Sequence, residues 1–120
     1  MTARRSDETP IHIAIVDYLR LVLPGALVIH IPNGGKRGAR EAAEFQRMGV
    51  VAGVPDIAIL LGCGGVLFIE VKAPKGKLSP EQEAFAQFCA GAHFPFGVCR
   101  SVDDARAFLS ANGILTREAA

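Results

Sequence analysis

The sequence predicts an α/β sandwich: a central mixed β-sheet flanked by helices, within one domain covering residues 1–120. Three observations predict it. Segments of helical pattern alternate with short apolar, β-branched runs. Two of those runs, 57–61 and 66–71, are separated by little more than GCGG. That link is too short for a parallel crossover, so this pair is antiparallel. Finally, 120 residues, half of them apolar and about a fifth charged, supply one ordinary globular core.

Each element has a local reason. Ile11 to Leu23 reads as a first helix, with Ser6 or Thr9 as its cap, Pro10 in its first turn and Pro24-Gly25 as its stop. Ala26 to Ile31 (ALVIHI) is a short strand, and PNGGKRG after it is a glycine-rich loop. Ala39 to Met48 is a second helix ended by Gly49. Ile57 to Leu61 and Val66 to Val71 are the paired strands. Ser79-Pro80-Glu81-Gln82 is a strong helix start, with Ser79 as N-cap, Pro80 at the first helical position and Gln82 closing a capping box. That third helix reaches about Ala90. Phe96 to Cys99 is the last strand, and Ser101 with Asp104 opens a fourth helix that ends at Asn112-Gly113. Residues 1–8 and 116–120 read as frayed ends.

Bulk composition narrows the functions. A net charge of +1 excludes a histone-like, uniformly basic binder. Any contact with nucleic acid must come from local clusters: Lys36, Arg37 and Arg40, or Lys72, Lys75 and Lys77. Cysteines 63, 89 and 99 are odd in number and lack C-x-x-C spacing, so they read as reduced thiols rather than a disulfide framework or zinc site. The basic start MTARRSDETP has no apolar run behind it, and nothing approaches the length of a transmembrane helix. A soluble, intracellular (cytoplasmic) protein with no membrane partner is expected.

The chemistry lies in the central hairpin. Along 66–71, Leu67, Ile69 and Val71 share one face, while Phe68, Glu70 and Lys72 share the other. In the partner run, Ile57, Ile59 and Leu61 share a face, which leaves Asp56, Ala58 and Leu60 opposite. If both apolar sets pack into one layer, Asp56, Glu70 and Lys72 gather on the other side. Register constrains this. A plain four-residue loop, 62–65, would set Leu61 against Val66 and mix the faces, so the pattern requires a loop of three or five residues, or a bulge.

Two neighbouring carboxylates repel each other unless a cation sits between them. Their hard oxygens suit Mg²⁺ or Mn²⁺ better than zinc. Such an ion serves phosphodiester hydrolysis by neutralising charge and lowering the pKa of its bound water, and a lysine on the same face orients water and offsets developing charge. Each residue also has an ordinary reading: Asp56 as a turn-forming residue opening the strand, Glu70 and Lys72 as a solvated strand face. The three together weaken that reading, because a charge set so deep in the apolar run VLFIEV has a purpose.

G-V-P-D (53–56) followed by I-E-V-K (69–72) resembles the PD-(D/E)-x-K nuclease superfamily, and most closely its VRR-NUC branch, the virus-type replication-repair nucleases. Glu8 ahead of His12, I-P-N-G-G-K-R (31–37), M-G-V-V-A-G-V-P-D (48–56) and L-S-P-E-Q (78–82) extend the likeness over nearly the whole chain. The resemblance implies a restriction-endonuclease-like sandwich. It implies Asp56, Glu70 and the Val71 carbonyl as metal ligands, and Glu8 as an additional acid, with Asp7 the alternative. Lys72 becomes the catalytic lysine, and Gln82 a helper that positions the lysine or water. Asn33, Gly34, Gly35, Lys36, Arg37, Arg40, Lys75 and Lys77 become nucleic-acid contacts. Gln82 has an equal claim as a simple capping residue; the N-G-G-K-R loop also has an ordinary reading as a plain turn, but its glycines and cations favour a phosphate contact.

Other signals are weaker. No P-loop or G-x-S-x-G is complete, and His12, His30 and His93 have no shared metal spacing and read as structural. Phe85 and Phe88 read as core. The function expected is a metal-dependent DNA endonuclease; the resemblance implies that it is structure-selective in the manner of Holliday-junction resolvases and acts as a homodimer. The alternatives are a nuclease for simple linear DNA and a catalytically silent nucleic-acid-binding module.

Overall fold

The computed structural model describes residues 2–32 and 38–118. Its elements are α1 (Thr2–Val22), β1 (Leu27–His30), α2 (Ala39–Arg47), β2 (Ile57–Leu60), β3 (Val66–Val71), α3 (Pro80–Ala92), β4 (Phe96–Cys99) and α4 (Val102–Ala111). The strands form one sheet in the order β1-β2-β3-β4. The first two pairings are antiparallel and the last is parallel. This is the mixed sheet expected, with helices on both sides.

Register is the decisive local fact. Leu60 faces Val66 and Ile57 faces Ile69, so the hairpin loop has five residues, 61–65. That is one of the two plain loop lengths that keep the apolar triplets on one side. Ile57, Ile59, Leu67, Ile69 and Val71 are all essentially buried there. They meet Ile15, Tyr18, Leu19 and Val22 of α1, and Ala105 and Leu109 of α4. Each such aliphatic side chain contributes about 1.5–3 kcal/mol when taken from water. On the other face, α3 is held by Phe85, whose ring meets Phe68 edge-on at 5.5 Å.

The capping signals at the helix ends also produce what they specify. Ser79 Oγ accepts from the Gln82 N–H, and the Gln82 side chain accepts from the Ser79 N–H. Ser101 Oγ caps α4 through the Asp104 N–H. Gly49, just past α2, adopts φ +105°.

Four expectations are corrected. The first helix starts at Thr2 rather than Ile11 and passes through Pro10, so residues 2–8 are not a frayed end and neither Ser6 nor Thr9 is its cap. Pro10 lacks only one intrahelical donor, and the helix continues on both sides. Residues 116–118 are also tied down. The Arg117 N–H donates to the Val22 carbonyl at 2.7 Å, and Glu118 accepts from Tyr18 and Arg106. Phe88 is 63% exposed and is not core. The second strand ends at Leu60, one residue early, because Leu61 belongs to the hairpin loop. The N-G-G-K-R segment 33–37 lies outside the described residues. No described helix is long and apolar enough to cross a membrane.

The segment between α2 and β2 is locked onto α3 at Gly53. Its φ is +83°, and a Cβ there would collide with the backbone of Glu81 and Gln82. Gly49 is a useful contrast, with φ +105° but open space around it. Gly53→Ala should cost about 3 kcal/mol, since strain and collision add, whereas Gly49→Ala should cost about 1 kcal/mol from strain alone. Urea-denaturation midpoints measure both. Equal losses at the two positions would refute the docking.

Candidate active site

The five-residue loop has a direct consequence at the other end of the hairpin. Continuing the register beyond Ile57–Ile69 sets Asp56 opposite Glu70. Asp56 is fixed at several atoms. Its Oδ2 accepts from the Val71 N–H at 2.8 Å. Its carbonyl accepts from the Ile31 N–H at 2.8 Å and meets His30 Nδ1 at 2.9 Å. A carbonyl can only accept, so Nδ1 carries the hydrogen. Asp56 is therefore far more than a residue that opens a strand.

Glu70 and Lys72 are not a solvated strand face. They are 2% and 7% exposed. Glu70 Oε2 accepts from Gln82 Nε2 at 3.1 Å and lies 4.0 Å from the Lys72 ammonium. Glu70 Oε1 is buried with no hydrogen-bond partner. Gln82 is the capping residue, and its amide also reaches Glu70 rather than Lys72. Its Oε1 takes the Ser79 N–H at 2.9 Å, which turns its amide N–H₂ toward Glu70. The helix cap thereby orients the site.

Burial pushes the Glu70 carboxyl up to about 9, and the nearby Asp56 charge and a hydrogen bond from the protonated carboxyl to Asp56 add to the effect, against a smaller opposing pull from Lys72. The folded state therefore holds this proton more tightly than the unfolded chain. Its advantage is complete while both states are protonated, below about 4.5, and is lost as pH climbs toward about 9.

These groups form one side of a cleft of about 610 Å³. The opposite wall comes from α1, with Glu8 and His12 one helical turn apart. Glu8 lies inside the helix and lines the cleft, while the neighbouring Asp7 does not. The Glu8 charge adds to the upward push on Glu70. Yet among the described residues no three His, Cys, Asp or Glu side chains come together closely enough to hold an ion on their own. The available donor set is two opposed carboxylates, with the Val71 backbone beside them in the cleft wall.

His12 and His30 also line the cleft, with their rings edge-to-face at 4.5 Å. Burial, and then the neighbouring His30, lower the pKa of His12. From the sequence both read as structural. The spacing of Glu8 to His12 was the one available signal for His12. Nothing in the sequence placed His30 beside Asp56. Of the other candidate contacts, Arg40 is exposed on α2, and Lys75 and Lys77 are exposed after the lysine. Asn33, Gly34, Gly35, Lys36 and Arg37 lie outside the described residues.

The geometry can now be set against known proteins. The family model of the VRR-NUC domain matches residues 10–103, which include Asp56, Glu70, Lys72 and Gln82. A solved structure described as a VRR_NUC domain shares the fold at a TM-score of 0.59, with 20% identity, over 87% of this chain and 95% of its own. A second, described as a VRR_NUC domain protein, reaches a TM-score of 0.67 with 22% identity, over 88% of this chain and 86% of its own. No curated protein matches the chain. At those identities the two structures speak for the fold, whereas the family model spans most of the sequence, including the hairpin and the helix that carries Gln82. The chain belongs to the VRR-NUC domain family, a family of nuclease domains.

Proposed function

We propose that this chain is a divalent-metal-dependent DNA endonuclease that hydrolyses phosphodiester bonds in branched DNA. The observation that carries the reading is Glu70, a carboxylate 2% exposed with one oxygen unpartnered and Asp56 opposite it. A lone buried carboxylate beside another is unfavourable, and a hard cation between the two is the simplest relief.

The residues fit Mg²⁺ or Mn²⁺. Asp56 and Glu70 would hold the ion, with the Val71 carbonyl as a further oxygen donor. Glu8, across the cleft, adds negative potential rather than completing a three-acid cluster. Bound there, the cation would neutralise charge on the phosphodiester and lower the pKa of a coordinated water. The chain's own residues do the rest. Gln82 fixes the rotamer of Glu70. Lys72 holds an ammonium beside Glu70, where it orients the attacking water and offsets charge gained by the phosphoryl oxygens. Lys75, Lys77, Arg40 and the 33–37 loop contact the DNA backbone and carry no sequence information. The preference for branched DNA rests on the resemblance to the VRR-NUC branch, whose stand-alone members are similar to junction resolvases. A domain this small has little surface for gripping a junction, so two copies about a two-fold axis would make paired cuts.

Cleavage of a four-way junction and a linear duplex should require Mg²⁺ or Mn²⁺ and stop in EDTA. The junction should be cut faster. Lys72→Ala should retain binding yet lose cleavage by about 10²-fold or more. Full activity in that variant, or in EDTA, would sink the mechanism. A wild-type chain that binds but never cuts would be the silent module.

Glu70→Gln replaces a carboxyl that must take up a proton to be buried with an amide that needs none. Without metal, near neutral pH, the variant should melt about 5 °C higher than wild type, the effect of roughly 1 kcal/mol in so small a domain. The gain should shrink as pH falls toward about 4.5, where wild-type Glu70 is protonated in both states. Added Mg²⁺ or Mn²⁺ should raise the wild-type melting temperature and leave the variant unmoved. A metal-dependent rise in Glu70→Gln would remove Glu70 from the ion site.

A further inference from the structure

We infer that Arg100 is a positioning residue for Lys72, acting by locking the turn 73–76 across the lysine's stem. This rests on the reading of Lys72 given above.

β4 runs parallel to β3 with Val71 opposite Cys99, which brings Arg100 level with Lys72 at the strand ends. The Lys72 N–H donates to the Cys99 carbonyl at 3.1 Å. From that point the Arg100 side chain reaches back over the segment that follows the lysine. Its Nε donates to the Pro74 carbonyl at 3.3 Å, and its Nη2 donates to the Gly76 carbonyl at 2.5 Å. The two carbonyls belong to one turn, closed by the Gly76 N–H on the Ala73 carbonyl at 2.9 Å. Gly76 is buried, and a Cβ built on it would sit 3.4 Å from Lys72 Cδ. The turn is therefore a cover resting on the aliphatic stem of the lysine, and Arg100 fastens it from outside.

The fastening is specific to a guanidinium. Its planar fork spans two carbonyls at once, which an ammonium on a flexible stem does not reproduce. No carboxylate among the described residues forms an ion pair with Arg100, so the guanidinium bonds to backbone oxygens rather than to a countercharge. Its own backbone is anchored, since the Arg100 N–H donates to Asp104 Oδ2 at 2.8 Å inside the cap of α4. Lys72 has four rotatable side-chain bonds, and its ammonium is 4.0 Å from Glu70. Without the cover, the amine samples other rotamers and spends less time beside the reacting phosphate.

The test compares Arg100→Ala, Arg100→Lys and Lys72→Ala on the DNA that the wild-type chain cuts fastest. Three quantities are read: the single-turnover cleavage rate at saturating DNA, the DNA affinity in EDTA, and the melting temperature, with every rate taken below the lowest melting point. Both Arg100 variants should cut on the order of ten- to a hundredfold more slowly, the effect of a misplaced catalytic group. Their DNA affinity should stay within about threefold of wild type, since no phosphate contact is lost. Added guanidinium ion should restore part of the Arg100→Ala rate. A purely structural role would lower the melting temperature and leave the rate below it unchanged, which would overturn the inference. A wild-type rate in Arg100→Lys would show that charge suffices, and would overturn it too. Weaker binding with an unchanged rate at saturation would make Arg100 a phosphate contact instead. If Lys72→Ala keeps full activity, the nuclease mechanism itself fails. If Lys72→Ala is inactive and both Arg100 variants are not, only the role of Arg100 fails.

Discussion

Glu70 sits in the interior with one carboxyl oxygen bonded by Gln82 and the other accepting no hydrogen bond, and the hairpin around it must offset that cost. A buried carboxylate beside another acid opposes folding unless it takes up a proton or a cation. The opposing stabilisation comes from the same two strands. Because side chains alternate along a strand, Ile57, Ile59, Leu67, Ile69 and Val71 fill an apolar layer on one side while Asp56 and Glu70 gather on the other. One hairpin thus serves as the floor of the core and as the seat of the acids. A one-residue slip would exchange the two roles and destroy both.

Precision at the site comes from segments far apart in sequence that hold one another through backbone groups. The Asp56 carboxylate is tied to the Val71 N–H, and its carbonyl to β1. The Gln82 amide is oriented by the Ser79 N–H and in turn restrains Glu70. Gly53 brings the approach to Asp56 hard against the first turn of α3, where Gln82 begins. The helix start that makes α3 stable is also the helix start that aims an amide at the acid. This is how a single residue completes a capping box and contacts Glu70 at once.

The legible parts were those with a short-range cause. The alternation in 57–61 and 66–71, together with the need to bury it, limited the plain loops to three or five residues, and the observed loop has five. Ser79-Pro80-Glu81-Gln82 and Ser101 gave their helix starts for the same reason, since a cap involves only neighbouring residues. The acid–acid–lysine set followed from face sharing alone. What escaped was decided by distant contacts. Pro10 read as a helix start although the helix runs through it, which moved Glu8 from a frayed end onto a cleft wall. The tail looked loose because its partners, Tyr18, Val22 and Arg106, lie on other helices. His30 and Arg100 carry no local signal. Each gains its place because β1 and β4 flank the hairpin, and strand order is not written in any short motif.

The turn after Lys72 joins these observations to the modest charge of the chain. Lys75 and Lys77 are exposed on either side of Gly76, which is buried against the Lys72 stem. The turn therefore faces two ways, with cations toward solvent and backbone toward the Lys72 side chain. A net charge of +1 gives little general attraction for DNA, so phosphate contacts matter where they are placed rather than how many there are. On the reading proposed here, a phosphate held at Lys75 or Lys77 settles the same turn that Arg100 fastens, and so settles Lys72. Contacts remote from the scissile bond then improve the position of the amine as well as the affinity, and binding energy of that kind favours the transition state over the ground state.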